Sequence, residues 1–227
     1  MNAAAIIVAG GCGKRFGSKK PKQFLALHGK PVFLYSVETF ALLKVFKQII
    51  VVVPKDYVSF ARSVLLKRFA GKNASRFIVA EGGKERFDSV KNGLLLAKKD
   101  IDLIAVHDAA RPLISKKDIM AVLKTAARSK AAIAVEKTKD TVKTVKNGLV
   151  LNTLDRSVLY NVQTPQIFSA PILFKAYCKK ISSITTDDSM LIENSGVKVS
   201  AVETSSPNFK ITTKDDFNLA GFLIKRR

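Results

Sequence analysis

A chain of 227 residues, 47% apolar and 25% charged, is long and apolar enough to bury a core, which excludes a wholly disordered protein. Against 18 Asp and Glu stand 39 Lys and Arg, a net charge of +21, so the expected partners are anions. Cys12 and Cys178 have neither metal spacing nor a disulfide framework, no apolar run approaches the ~20 residues of a membrane span, and residues 1–5 lack the basic start of a secretory signal. The expected compartment is therefore a reducing cytoplasm, or a plastid stroma for a processed chain.

Apolar runs of strand length alternate with amphipathic stretches along the chain. Ala3–Val8 reads as a first strand, running into the glycines that follow it. Val32–Phe46 has helical spacing, the β-branched run Gln48–Val53 reads as a buried strand closed by Pro54, and Val58–Phe69 reads as a helix. Arg76–Ala80 is a short strand before Gly82-Gly83, Asp88–Ala97 a helix, and Leu103–Val106 a strand ending at His107-Asp108. Lys116–Ser129 is helical and Ala131–Val135 strand-like. This rhythm predicts an α/β fold: one Rossmann-like domain over residues 1–227, with a mostly parallel twisted sheet and helices on both faces.

Residues 137–160 break the rhythm. Lys139–Val145 alternates polar and apolar positions, Asn147-Gly148 is a hairpin turn, and Leu149-Val150-Leu151 returns. The segment predicts a protruding β-hairpin arm, and an arm that cannot bury its own apolar side calls for a second copy of the chain. Helical patterning resumes over Ser169–Lys180 and Asp187–Ser195, Lys198–Val202 is a last strand, and Thr213–Lys225 a closing helix capped by Thr212 or Thr213.

The richest chemistry lies in the first loop, Ala9-Gly10-Gly11-Cys12-Gly13-Lys14-Arg15-Phe16, continuing to Pro21-Lys22-Gln23-Phe24. It leaves the carboxyl end of the first strand, where open α/β sheets bind ligands, and its glycines let backbone N–H groups approach phosphate. Gly13-Lys14 is followed by Arg15 rather than Ser or Thr, so no Walker A loop forms. Phe16 stands where a dinucleotide fingerprint needs its third glycine. Phosphoanhydride transfer suits the loop better, because Arg15 and Lys22 can stabilise charge on a transferring phosphate and on departing pyrophosphate. Asp108, at a strand end on the same sheet edge, is a hard oxygen ligand suited to Mg²⁺. His107 lacks the nucleophile elbow of a hydrolase and reads as structural. The basic residues show no stripe interleaved with aromatics, so nucleic-acid binding is the alternative of a different class.

The stretch Ala9-Gly10-Gly11-x-Gly13-x-Arg15 with Pro21–Leu25 resembles the signature of the 2-C-methyl-D-erythritol 4-phosphate cytidylyltransferases. Gly82–Val90, Val106–Pro112, Asp155-Arg156, Thr164-Pro165-Gln166, Thr186-Asp187-Asp188 and Asn208–Thr212 match that family in order. The resemblance implies a nucleotidyltransferase that joins CMP from CTP to methylerythritol phosphate with a divalent cation, and a dimer linked by the arm. It implies that Ala9, Gly10, Gly11 and Gly13 meet the nucleotide, that Arg15 and Lys22 grip the triphosphate, and that Gly83 and Ser89 select cytosine and fix the ribose. Asp108 lies near the α-phosphate and is a candidate Mg²⁺ ligand. Arg111, Thr186 and Lys210 bind the acceptor, Lys210 also taking part in catalysis, while Arg156 and Thr164 reach the substrate from the partner subunit. The nearest competing acceptor is a pentitol phosphate such as ribitol 5-phosphate.

Overall fold

The computed structural model describes residues 1–11, 16–17, 20–71, 74–178 and 185–226. Strand β1 (Ala3–Val8) is buried along its whole length. Its side chains alternate, Ala3, Ala5 and Ile7 joining one apolar cluster and Ala4, Ile6 and Val8 the other. Each fully buried Ile contributes about 1.5–3 kcal/mol, so the strand is a seam between two cores. The short ladder of β2 (Ala26–Leu27) and β3 (Lys30–Pro31) leads into α1 (Val32–Ala41), and β4 (Phe46–Val53) pairs parallel to β1. Next come α2 (Val58–Arg68), β5 (Phe77–Glu81), α3 (Arg86–Leu94), β6 (Leu103–Asp108), α4 (Lys116–Ser129) and β7 (Ala131–Lys137). A hairpin follows, β8 (Lys143–Lys146) and β9 (Leu149–Thr153), with every residue of both strands exposed. The chain closes with β10 (Tyr160–Ser169), α5 (Ala170–Tyr177), α6 (Asp188–Glu193), β11 (Ser200–Glu203) and α7 (Lys214–Lys225).

The main sheet has seven strands in the order β11-β7-β10-β6-β1-β4-β5. All pairings are parallel except those of β10, which runs antiparallel to both its neighbours, β6 and β7. Residues of α1, α2 and α4 cover one face, and those of α3, α5 and α6 the other. The register sets the ligand edge, for Val8 lies opposite both Val52 and Asp108. Ala9 then donates its N–H to the Val52 carbonyl and Ala109 donates to that of Val8, so the three parallel strands end level.

Several elements differ from their sequence reading. The first helix ends at Ala41, because Phe46 is buried and pairs with Ala3 as the start of β4. Helix α3 begins at Arg86, where Glu85 accepts the N–H of Asp88 and Asp88 accepts that of Glu85 in a reciprocal cap. Strand β10 was not expected. Its ladder is interrupted between Val162 and Gln166, around Pro165, which cannot donate to a ladder and so hides a central strand. Helix α7 is capped by Thr213, whose hydroxyl accepts the N–H of Asp216.

Candidate active site

A cleft of about 370 Å³ opens at the level strand ends. Ala9, Gly10, Gly11, Lys22, Arg86, Ser89, Asp108 and Lys210 are among its walls. The glycine loop is fixed from beneath by Gln23, whose Nε2 donates to the carbonyls of Ala9 at 2.6 Å and Gly11 at 2.7 Å. Ser89 abuts the loop at Gly10 and is bonded to the second glycine segment. Its hydroxyl accepts the N–H of Gly83 at 3.1 Å and donates to the Glu85 carbonyl, also at 3.1 Å. A Cβ on Gly10 or Gly82 would stand 2.8 or 2.9 Å from that Ser89 oxygen, and one on Gly83 only 2.1 Å from the Asp88 Cβ. These glycines are therefore set by close approach to the start of α3.

Asp108 is the electrostatic centre. Its carboxylate accepts from Arg86 Nε at 3.1 Å and Lys210 Nζ at 2.8 Å, and lies 3.9 Å from Arg111 Nε. Burial alone would raise its pKa, but Arg86, Lys210 and Arg111 outweigh that and hold the carboxyl well below the usual range. Burial pulls the Arg111 guanidinium below its ordinary value despite Asp108, while Arg86, opposed by burial but flanked by Asp188 and Asp108, is held well above it. Arg86, Lys210 and Arg111 outnumber Asp108 and Asp188, and with Lys22 and Lys84 also on the walls they leave an excess of positive charge at the cleft, suited to a polyphosphate.

Beneath Asp108 runs a chain of three hydrogen bonds. The Asp108 N–H donates to the Thr164 hydroxyl, that hydroxyl bonds His107 Nδ1, and His107 Nε2 meets the Arg111 carbonyl. The carbonyl accepts only, so the proton sits on Nε2 and Thr164 donates to Nδ1. Burial pushes His107 down from 6.5 to about 4, against the pull of Asp108, so the ring is neutral. The sign of the pH dependence follows. The unfolded chain takes up this proton near 6.5 and the folded chain near 4, so stability is lost as pH falls through that window. The full loss is about 3 kcal/mol. Asp108 adds its own loss only below its unfolded value of 3.8. Urea titrations at near-neutral and mildly acidic pH are expected to show this slope in the wild type and not in His107→Gln; an equal slope in both would remove His107 as its source.

Ala9, Gly10, Gly11, Lys22, Ser89, Asp108 and Lys210 thus share one cleft, with Gly83 and Arg111 against its walls. Gly13 and Arg15 lie outside the described residues. Thr164 corrects its expectation. It is buried on β10 and bonds Asp108 and His107 of its own chain, so it is not presented to a partner subunit. Arg156 is exposed at the base of the hairpin, donating to the Lys139 carbonyl, and does not line the cleft. Thr186 is exposed just ahead of α6. The residue the sequence reading passed over is Arg86. The signal was a cation in the first turn of a helix, where the helix dipole opposes it unless anions face it.

Parallel strands ending level at a glycine loop, with clustered cations around one buried carboxylate, define an α/β protein built to hold nucleotide phosphates. Residues 3–226 match the profile of the family 2-C-methyl-D-erythritol 4-phosphate cytidylyltransferase, and the chain belongs to that family. It is 62% identical to the enzyme of that name from Endomicrobium trichonymphae, over 99% of this chain and 100% of that one. It is 37% identical to that of Caldanaerobacter subterraneus over the full length of both. Among solved structures it superposes on 4-diphosphocytidyl-2C-methyl-D-erythritol synthase from Anaerococcus prevotii with a TM-score of 0.84, at 28% identity and covering 99% and 98% of the two chains. The cytidylyltransferase of Thermus thermophilus gives 0.79, also at 28% identity, covering 99% of this chain and 100% of that one.

Proposed function

We propose that the protein transfers the cytidylyl group of CTP to 2-C-methyl-D-erythritol 4-phosphate, a step of non-mevalonate isoprenoid precursor synthesis. An oxygen of the acceptor phosphate attacks the α-phosphorus in line, the bond to the β-phosphate bridging oxygen breaks, and pyrophosphate departs. The observation that carries this reading is the pair Arg86 and Lys210 on Asp108, lining one cleft with the glycine loop, with Arg111 3.9 Å from the same carboxylate. Lys22, on the loop side, is assigned to the triphosphate, with Arg15 beside it in sequence. Lys210 and Arg111 are assigned to the acceptor phosphate. Arg111 supports that end of the site through its charge beside Asp108, its Nη1 donating to the Asn208 carbonyl at 2.8 Å. Backbone groups of Ala9, Gly10, Gly11 and Gly83, aligned by Gln23 and Ser89, are assigned to the nucleoside.

Mg²⁺ fits Asp108. The carboxylate is ionised and lines the cleft, and Mg²⁺ is ordinarily held by one or two carboxylates with substrate phosphates and water completing the shell. Bound there, the ion would neutralise charge on the phosphate oxygens. A homodimer through the hairpin belongs to the same proposal. Val145, Leu149, Val150 and Leu151 are 58–71% exposed on it, an apolar surface that a second copy would cover. So does residence in the cytoplasm, since both substrates are charged phosphates; among the described residues no helix is long and apolar enough to cross a membrane.

The test is pyrophosphate release from CTP and Mg²⁺ with methylerythritol phosphate or ribitol 5-phosphate as acceptor. Release with the first alone is expected. Release with the second alone would replace the acceptor, and silence with both would overturn the reading.

A further inference from the structure

Arg86 sits at the first position of α3, where its charge opposes the helix dipole, and its fork joins two carboxylates from distant parts of the chain. Nε donates to Asp108 at the end of β6 at 3.1 Å, and Nη2 to Asp188 in the first turn of α6 at 2.8 Å. Asp188 is buried and also accepts from the Tyr177 hydroxyl on α5. The next residue, Phe87, stacks on the Tyr177 ring with centroids 4.3 Å apart and planes 4° from parallel. The start of α3 is thus fastened to α5 and α6 by charge and by ring packing together. That same start carries Ser89, which holds Gly83 and packs on Gly10 and Gly82. The nucleotide side of the cleft therefore hangs from α3. Asp108 and the segment entering α6 are tied to α3 through one guanidinium.

We infer that Arg86 is a positioning residue that holds the acceptor half of the cleft in register with the nucleotide half, by bridging Asp108 and Asp188. This rests on the cytidylyl-transfer reading. The chemistry explains the choice of side chain. A planar fork presents separate donors to two carboxylates at fixed angles, whereas an ammonium group offers one point charge. The Arg86 side chain is 29% exposed and lines the cleft, so the bridge borders the reaction space. Gln166 on β10 still holds Asp187 and Ser189 at 2.8 and 3.0 Å, so loss of the bridge would leave α6 on the sheet and shift only the Asp108 and Asp188 carboxylates against the start of α3. An in-line attack is sensitive to such movement, since about 1 Å of misplacement can cost about 100-fold.

The test compares Arg86→Lys, Arg86→Gln and Asp188→Asn with wild type, measuring CTP affinity by calorimetry, acceptor KM, kcat and thermal stability. Arg86→Lys is expected to fold and to bind CTP within about threefold of wild type, while acceptor KM rises and kcat falls, each by about tenfold or more. Asp188→Asn should reproduce the acceptor defect. The Arg86→Gln/Asp188→Asn pair should be no worse than Arg86→Gln alone, because both remove one shared contact. Wild-type kinetics in Arg86→Lys would overturn the inference, as would defects that multiply in the pair. If Asp188→Asn does not fold, the Lys and Gln variants decide between them: recovery of acceptor KM and kcat by Lys would show that charge alone suffices and no bridge is needed. Wild type silent with CTP and methylerythritol phosphate would instead sink the cytidylyl-transfer reading.

Discussion

Asp108→Asn is expected to cut kcat by about 100-fold or more while leaving CTP binding without metal as tight as in wild type, or tighter. The two halves of this result come from opposite effects of one carboxylate. Asp108 is the anion among Arg86, Lys210 and Arg111, so in the empty cleft it neutralises charge that CTP would otherwise meet. A neutral isostere removes that competition and should favour the triphosphate. It also removes the group proposed to hold Mg²⁺ and the anchor from which Lys210 and Arg86 take their positions, and that loss falls on the chemical step. Folding should suffer too. Breaking a buried ion pair ordinarily costs about 3–5 kcal/mol, and the loss here should sit at the low end because Lys210 is 37% exposed. Added CTP should therefore raise the melting temperature more in the variant than in wild type, since it supplies the missing anion. Calorimetry without metal, steady-state kinetics with it and thermal melts check all three. A kcat within threefold of wild type, or weaker metal-free CTP binding, would remove Asp108 from the centre of the site.

What could be read from the sequence was whatever depends on local pattern. β1 showed as an apolar run because both its faces are buried, and α4 because one of its faces is. The strand ends marked the ligand edge, so the glycine loop and Asp108 could be placed together from the sequence alone. β10 was hidden because its pairing is non-local and interrupted around Pro165, and because Gln163, Thr164 and Gln166 are buried polar groups whose partners lie elsewhere in the chain. Thr164 was misassigned for the same reason. The resemblance set it beside Arg156 as a residue reaching a partner's substrate, whereas on β10 its hydroxyl accepts the N–H of Asp108 in its own chain. Arg86 stood inside a matched block yet drew no role, since its meaning depends on Asp188, 102 residues away. The net charge of +21 foretold anionic ligands, but only the fold shows Lys22, Lys84, Arg86 and Lys210 gathered on one cleft.

Lys22→Ala is expected to lower kcat/KM by about 100- to 1,000-fold with almost no change in melting temperature. Its backbone is held by its neighbours. Gln23 is tied to the glycine loop, and Phe24 is buried, stacked on Tyr57 with ring centroids 4.0 Å apart. The side chain itself faces the cleft, so truncation removes a charge without opening the core. A fall in activity matched by a fall in stability would mean that Lys22 acts through the fold. The variant also tests the proposed dimer. Co-expressed with Arg156→Ala under a second tag, it would form mixed dimers in which one site has both lesions and the other has neither. If Arg156 serves the partner's cleft, random pairing of two nearly inactive chains should restore about one quarter of wild-type activity. If Arg156 serves its own chain's cleft, every site in every dimer carries a lesion and mixing restores nothing. Arg156 is exposed and does not line its own chain's cleft, so recovery is the expected result.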